Sequence, residues 1–306
     1  MSDLVRGALA AFGLTGAEAA FLQHNENLTF RVDGKYLLRI HKAAEGIHAD
    51  HNPNTHRAEL AFLRHLADKG MPVQRPMAQA ILPDGTMATL LTWLEGHSLH
   101  KEDLTPEFLF QAGTLVFRLH QASEGFHHAS LRRYGDAHIH QLSAALQAMG
   151  QRYQLDSGEI AAAIKAAQVI SSRLQAASGA LIPIHADLSP SNLLLTPDGP
   201  APIDFSLLGL GHPMHDLGIL MGNISSQAQR QAVAEGYISA GGRIDLPLLD
   251  AGLALGLLEA LVFHADTWPK EPWFAPRLTR WADEMLRPLA TGKPLLDETM
   301  YLVNLK

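Results

Sequence analysis

The sequence predicts an α+β chain in two parts. Residues 1–95 form a sheet-rich lobe, and residues 96–306 form a mainly helical one. Three observations carry that prediction. Short apolar runs with turn residues between them fill the first part. Ala/Leu/Gln-rich stretches with helical spacing fill most of the second. The change of character falls at Glu95-Gly96. At 306 residues, with 47% hydrophobic and 18% charged content, the chain has the length for two domains or one large two-lobed body.

Each element has its own signal. Ser2 caps a helix through Phe12, which Gly13 stops. Residues 20–32 read as strand, polar turn, strand, and Asp33-Gly34 is a hairpin turn leading into a third strand, Tyr36 to Ile40. Residues 43–54, rich in His, Asn and Pro, read as loop. Leu60, Leu63 and Leu66 give residues 56–69 a helical stripe, closed by Gly70 with Pro72 beyond. Ala78 to Leu82 and Met87 to Leu94 are two further strands around the turn Pro83-Asp84-Gly85. The first lobe is therefore a five-stranded antiparallel sheet with one internal helix. In the second, helical spacing covers 106–122, 138–150, 155–178, 213–223, 225–240, 246–266 and 275–290, with a strand–loop–strand segment at 181–205.

Composition removes several function classes. A net charge of −7 argues against a nucleic-acid partner, which calls for a basic face. With no cysteine there are no disulfides and no thiolate metal sites. The first residues lack the apolar stretch of a secretion signal, and the apolar runs stop short of the ~20 residues that span a membrane, so a cytoplasmic protein without membrane contact is expected. The 17 histidines raise a metalloenzyme reading, but His212, His215 and Asp216 do not have the H-E-x-x-H spacing.

The chemistry concentrates in residues 185–205. His185-Ala186-Asp187-Leu188-Ser189-Pro190-Ser191-Asn192 is followed, after an apolar run, by Ile203-Asp204-Phe205. This is the pattern H-x-D-L-x-x-x-N then D-F of phosphoryl-transfer enzymes. Asp187 is placed to orient an attacking hydroxyl and accept its proton. Asn192 and Asp204 offer the hard oxygens that magnesium prefers. His185 holds the loop backbone, and Pro190 stiffens the turn that aims Asn192. Upstream, Arg39 interrupts an apolar strand and Glu59 lies early in the following helix. A charge in a buried strand needs a partner, so the two are expected to pair, with Arg39 holding nucleotide phosphates. The alternatives are an edge-facing Arg39 and a solvated Glu59. Residues 24–27 are the expected phosphate-covering turn, with Asn25, Asn27 and Thr29 as donors and no G-x-G-x-x-G.

On these residues the chain resembles the aminoglycoside phosphotransferase and choline kinase-like family, over nearly its whole length. The resemblance also rests on Trp93-Leu94-Glu95-Gly96 and His215-Asp216-Leu217-Gly218. It implies a protein-kinase-like two-lobe fold and transfer of the γ-phosphate of ATP to a small-molecule hydroxyl. It assigns the base to Asp187, magnesium to Asn192 and Asp204, phosphates to Arg39 braced by Glu59, and adenine to backbone at Thr92 to Leu94. Asp216 becomes a brace of the catalytic loop. Arg39 stands where Lys is usual, Ala186 where Gly, Asn or Arg is usual, and Ser206 where Gly is common. None of these removes a magnesium ligand. A serine/threonine protein kinase is the nearest alternative, but Asp204 and Asp216 are twelve residues apart and no Ala-Pro-Glu follows. A non-catalytic nucleotide binder requires a broken Asp187, Asn192 or Asp204, and all three are present. Glu259, His264, Asp266, Trp268, Trp273 and Trp281 are expected near the acceptor, and a monomer or homodimer is expected.

Overall fold

The structure, a computed structural model, describes residues 2–24, 27–41, 53–177, 179 and 181–296. It contains two compact units, Met1–Gly96 and His97–Lys306.

In the first unit, Ser2 accepts a hydrogen bond from the Val5 amide and starts α1 (Asp3–Ala11). Strands β1 (Ala19–His24), β2 (Asn27–Val32), β3 (Tyr36–His41), β4 (Pro76–Ile81) and β5 (Met87–Thr92) form one antiparallel sheet in the order β1-β2-β3-β5-β4. The β2–β3 turn needs two consecutive left-handed residues, and Asp33 (φ 49°) and Gly34 (φ 68°) supply them. Side chains alternate across the sheet. Phe30, Leu38, Ile40, Ala88 and Leu90 point to one face and pack with Val5, Ala8 and Leu9 of α1. Thr29, Arg39 and Thr89 are ladder partners on the other face, and all three are buried. Helix α2 runs Pro53–Asp68. It starts three residues before the expected His56, because Pro is tolerated in a first helical turn, whose N–H groups have no intrahelical partner.

The second unit is built on helices α3 (Pro106–Ser123), α4 (Asp136–Tyr153), α5 (Ser157–Ala176), α6 (Pro213–Gly222), α7 (Gln227–Ser239) and α8 (Leu246–Phe263). Thr105, Asp156 and Asp245 cap α3, α5 and α8 with their side chains. Helix α8 is long and apolar enough to cross a membrane by composition alone. Here it is a core helix, with Ala251, Ala254, Leu255, Leu258 and Leu261 in one buried cluster with α4 and α5, and with Asp250 and Glu259 buried on it. The stretch expected as one helix at 275–290 is α9 (Phe274–Trp281), a π turn (Ala282–Leu286) and α10 (Arg287–Ala290). Pro288 has no N–H to continue the ladder, and the extra residue of the π turn absorbs that break.

Two small sheets frame the loop of interest. One is β6 (His97–Ser98), β9 (Leu193–Thr196) and β10 (Gly199–Pro202); the other is β7 (Arg132–Arg133), β8 (Ile182–Ile184) and β11 (Gly209–Gly211). Residues 185–192 connect β8 to β9. Beneath them α6 crosses α8 at Gly218 and Gly252. A Cβ on Gly218 would fall 2.4 Å from Leu253 N, and one on Gly252 would fall 2.3 Å from Met214 O. Backbone meets backbone there, so neither helix can yield to a side chain. Gly252→Ala is expected to lower stability by about 1–3 kcal/mol through overpacking. Urea unfolding of the variant checks this, and unchanged stability would mean that the crossing is looser than described.

Candidate active site

Asp216 organises the catalytic loop. It is fully buried in the first turn of α6. Its Oδ2 accepts from the His185 amide at 3.0 Å and its Oδ1 from the Ala186 amide at 2.7 Å. His120 Nε2 of α3 lies 3.1 Å from Oδ2, and Tyr237 OH of α7 lies 3.3 Å from the other nitrogen of that ring. Burial alone raises the Asp216 carboxyl; the His120 hydrogen bond and charge, with the His185 charge and Ala186 amide, outweigh it and hold the group below the usual range. A buried charge satisfied by two amides and an imidazole is a fixed anchor. The anchored backbone is unusual: Ala186 sits at φ 63°, a left-handed conformation that costs a residue with Cβ about 1–2 kcal/mol.

That turn points Asp187 at Asn192. The Asn192 amide nitrogen donates to the Asp187 carbonyl at 2.8 Å and to its Oδ2 at 2.7 Å. With its nitrogen so committed, Asn192 makes no hydrogen bond through Oδ1 among the described residues. Pro190 opens the short 3₁₀ turn Pro190–Asn192 that sets this geometry. His185 Nε2 lies 2.9 Å from the Ile203 carbonyl, and the Ile203 amide bonds the Asn192 carbonyl. The two bonds tie the segment carrying Asp204 to the loop. Asp204 is also left-handed, at φ 60°, and half-buried. Burial pushes the Asp187 carboxyl up to about 6, and the Asp204 charge adds to this against opposing contributions from His185 and Asn192. Two carboxylates and an amide oxygen, from the 185–192 loop and from the segment after β10, form a donor set that fits magnesium, which takes few protein oxygens and keeps water.

A second network flanks the loop. Glu259 of α8 is buried between two imidazoles, His138 Nε2 at 2.8 Å and His215 Nε2 at 2.9 Å. Tyr134 packs edge-on against both rings and donates to the Leu207 carbonyl at 2.5 Å. Burial raises the Glu259 carboxyl, but the His215 charge and the two hydrogen bonds bring it down to about 2. Burial lowers His215, and Glu259 more than reverses it, so that ring is held above its usual value.

In the first unit, Arg39 Nη1 donates to Glu59 Oε1 at 2.6 Å, with both side chains buried. Asn27 opens β2 opposite His41. Asn25 lies outside the described residues. The Thr92 amide and hydroxyl are both taken by the Arg75 backbone, and the Trp93 amide by the Lys35 carbonyl. Leu94 has no such bond among the described residues. Arg31 stacks on Trp93 at 4.5 Å and pairs with Glu95 at 2.9 Å, which stiffens the strand end.

The residues expected near the acceptor are mostly packing. Glu259 is spent on its two imidazoles. His264 stacks on Trp268 at 4.2 Å, Trp268 leans on Trp273 and Trp281, and Arg277 covers the faces of both. Asp266 pairs with Arg152 at 2.5 Å. His120, His138 and Tyr134 are the partners that sequence reasoning missed. Each occupies an ordinary position near a helix or strand, and only the fold shows what it faces.

The comparisons with known proteins agree with this geometry. Residues 19–255 match the family described as the phosphotransferase enzyme family, so the chain belongs to that family and is a phosphotransferase. An uncharacterized protein of Deinococcus radiodurans is 29% identical over 266 residues, covering 79% of this chain and 73% of the other. Among solved structures, a microcompartment-associated aminopropanol kinase superposes with a TM-score of 0.71 at 19% identity, covering 94% of this chain and 97% of its own. An amicoumacin kinase bound to AMP-PNP and Ca2+ superposes at 0.70 with 14% identity, covering 91% and 89%. At these identities the likeness shows a shared fold, the kinase-like α+β architecture expected from the sequence.

The Glu259 network carries a pH signature. The depressed Glu259 contributes stability above its unfolded value of about 4.5, and that contribution is lost as pH falls towards 2. The raised His215 contributes fully below about 6.5, and that contribution is lost as pH rises through its folded value. The stability gap between wild type and Glu259→Gln is therefore expected to be widest between about pH 4.5 and 6.5 and to shrink on both sides. Urea titrations across that range check it, and a gap independent of pH contradicts the network.

Proposed function

We propose that this phosphotransferase moves the γ-phosphate of ATP, with magnesium, onto a hydroxyl of a small molecule: an aminoglycoside-like compound, an amino alcohol, a sugar or a homoserine-like acid. The observation that carries the reading is the Asp187–Asn192 pair, locked by Asp216 and tied to Asp204. In this reading the 185–192 loop supplies a base and an amide oxygen, and the segment after β10 supplies a second carboxylate. Relatives of this fold bound to AMP-PNP, or described as a kinase of an amino alcohol, support the donor and the acceptor class.

In this reading Arg39, held by Glu59, contacts the phosphates, and the Leu94 backbone at the end of β5 meets the base, with Thr92 fixing that strand end. Asn27, on the same sheet face as Arg39, takes part in phosphate contact. Asn192 Oδ1 and the Asp204 carboxylate hold the metal. When bound, magnesium neutralises charge on the phosphoryl oxygens. Asp187 accepts a hydrogen bond from the acceptor hydroxyl. The hydroxyl oxygen forms the new P–O bond, the bond to the ADP oxygen breaks, and the hydroxyl proton passes to Asp187. A carboxyl that titrates near 6 is ionised at neutral pH yet basic enough to take that proton. After Asp204 the chain enters β11 and then α6 within a few residues, which leaves no segment for docking a peptide and favours a small acceptor. ATP as the donor places the reaction in the cytoplasm.

Asp187→Ala is expected to reduce phosphate transfer at least about a hundredfold with little change in ATP affinity. Transfer assays over hydroxylated amines, sugars and antibiotics check this, and full turnover removes Asp187 from the mechanism. In the wild type, kcat/KM is expected to fall as pH drops below about 6, where Asp187 gains its proton. For Asp204→Ala, the added thermal stability with ATP and magnesium, about 2.7 kcal/mol at ~100 times Kd, is expected to vanish. A shift that persists in the variant contradicts the ligand role.

A further inference from the structure

The polar face of the first unit's sheet holds a group that the reading above does not use. His41 lies two residues beyond Arg39 on β3 and therefore on the same face. Its ladder partner is Asn27. The residue is 6% exposed, and its Nδ1 is buried without a hydrogen-bond partner among the described residues. Its Nε2 lies 3.0 Å from the Thr89 hydroxyl.

Counting partners fixes the proton. Thr89 is 1% exposed, and its hydroxyl has His41 as its one side-chain partner among the described residues. If Nε2 donated to Thr89, the hydroxyl hydrogen and the Nδ1 lone pair would both be stranded. If Thr89 donates to Nε2, one group alone is stranded, an Nδ1–H. Buried polar groups are rarely left unpaired, so the arrangement with one orphan is the stable one. Burial, then the charges of Arg39 and His56, hold the ring well below the usual histidine range, so it is neutral with that single N–H. The His56 ring of α2 is 4.0 Å away, and Arg39 and Thr29 flank it on the face. A buried donor beside the Arg39 cation suits an anionic oxygen.

We propose that His41 is a second phosphate-binding residue beside Arg39, donating its Nδ1–H to a phosphoryl oxygen of the nucleotide. The inference rests on the phosphotransfer reading, and it adds a contact that discriminates nucleotides from nucleosides. Thr89 is then a positioning residue that sets the tautomer.

The two ring nitrogens can be tested separately. In His41→Asn the side-chain nitrogen occupies the place of Nδ1 and loses Thr89. In His41→Gln the amide reaches Thr89 and loses the donor at Nδ1. Isothermal titration of the full chain with ATP and magnesium, and separately with adenosine, reads the difference, with thermal unfolding to confirm that both variants fold. His41→Gln is expected to weaken ATP binding about tenfold and leave adenosine unchanged, and His41→Asn to restore most of the loss. The reverse order, or equal losses in both variants, shows a structural role through Thr89 and overturns the proposal. ATP binding that is lost in Arg39→Met but untouched in His41→Gln overturns it alone. Absence of any ATP binding by the wild type overturns the phosphotransfer reading and this inference together.

Discussion

The carboxylate of Asp216 is the constraint on which the site depends. It satisfies two consecutive amides of the catalytic loop and is itself held by His120. Directly after these two amides the chain turns through Ala186, which takes a left-handed conformation. The same turn aims Asp187 at Asn192. Asp216 thus sets the direction of Asp187 and Asn192, the proposed base and one proposed metal ligand. Its own position is set by the glycine crossing of α6 and α8, where two helix backbones come into contact. The sequence of causes runs from two glycines, through a buried anion, to a strained loop.

Buried charge is handled in the same way in each unit. Arg39 has Glu59, Asp216 has His120 and two amides, and Glu259 has two imidazoles. Removing one member of such a set leaves the other buried and unpaired, which costs far more than the net worth of the contact. These residues therefore specify geometry more than they add stability. Among the described residues, His41 and His215 each keep one buried ring nitrogen without a partner, and His41 does so on the sheet face that carries Arg39. An unsatisfied donor inside a polar face that is otherwise paired is the kind of local conflict found where a ligand completes the structure.

Much of this was legible in the sequence, for physical reasons. The helices of the second unit announce themselves by spacing, a local signal; the caps Thr105, Asp156 and Asp245 became apparent only in the structure. Asp187, Asn192 and Asp204 stand out in the sequence by their spacing along one chain segment, and the structure brings Asp187 and Asn192 into contact. The Arg39–Glu59 pair was legible because a guanidinium inside an apolar strand demands a partner. What the sequence hid depends on distant partners. Trp268, Trp273 and Trp281 look like a ligand cage, yet Arg277 and each other occupy their faces. Glu259 looks like a free acid, yet His138 from α4 and His215 from α6 enclose it. The break of the last helix at Ala282–Leu286 required knowing how Pro288 would be accommodated.

The most direct test of this account is Asp216→Asn, read by hydrogen exchange and by intrinsic ATP hydrolysis in the same preparation. An amide in place of the carboxylate presents a donor to one of two backbone donors, so the clamp opens. The account predicts faster exchange at the His185 and Ala186 amides, unchanged protection across β1–β5, and hydrolysis reduced at least about a hundredfold. Unchanged hydrolysis in a variant whose loop exchanges freely would contradict the claim that Asp216 sets the catalytic geometry.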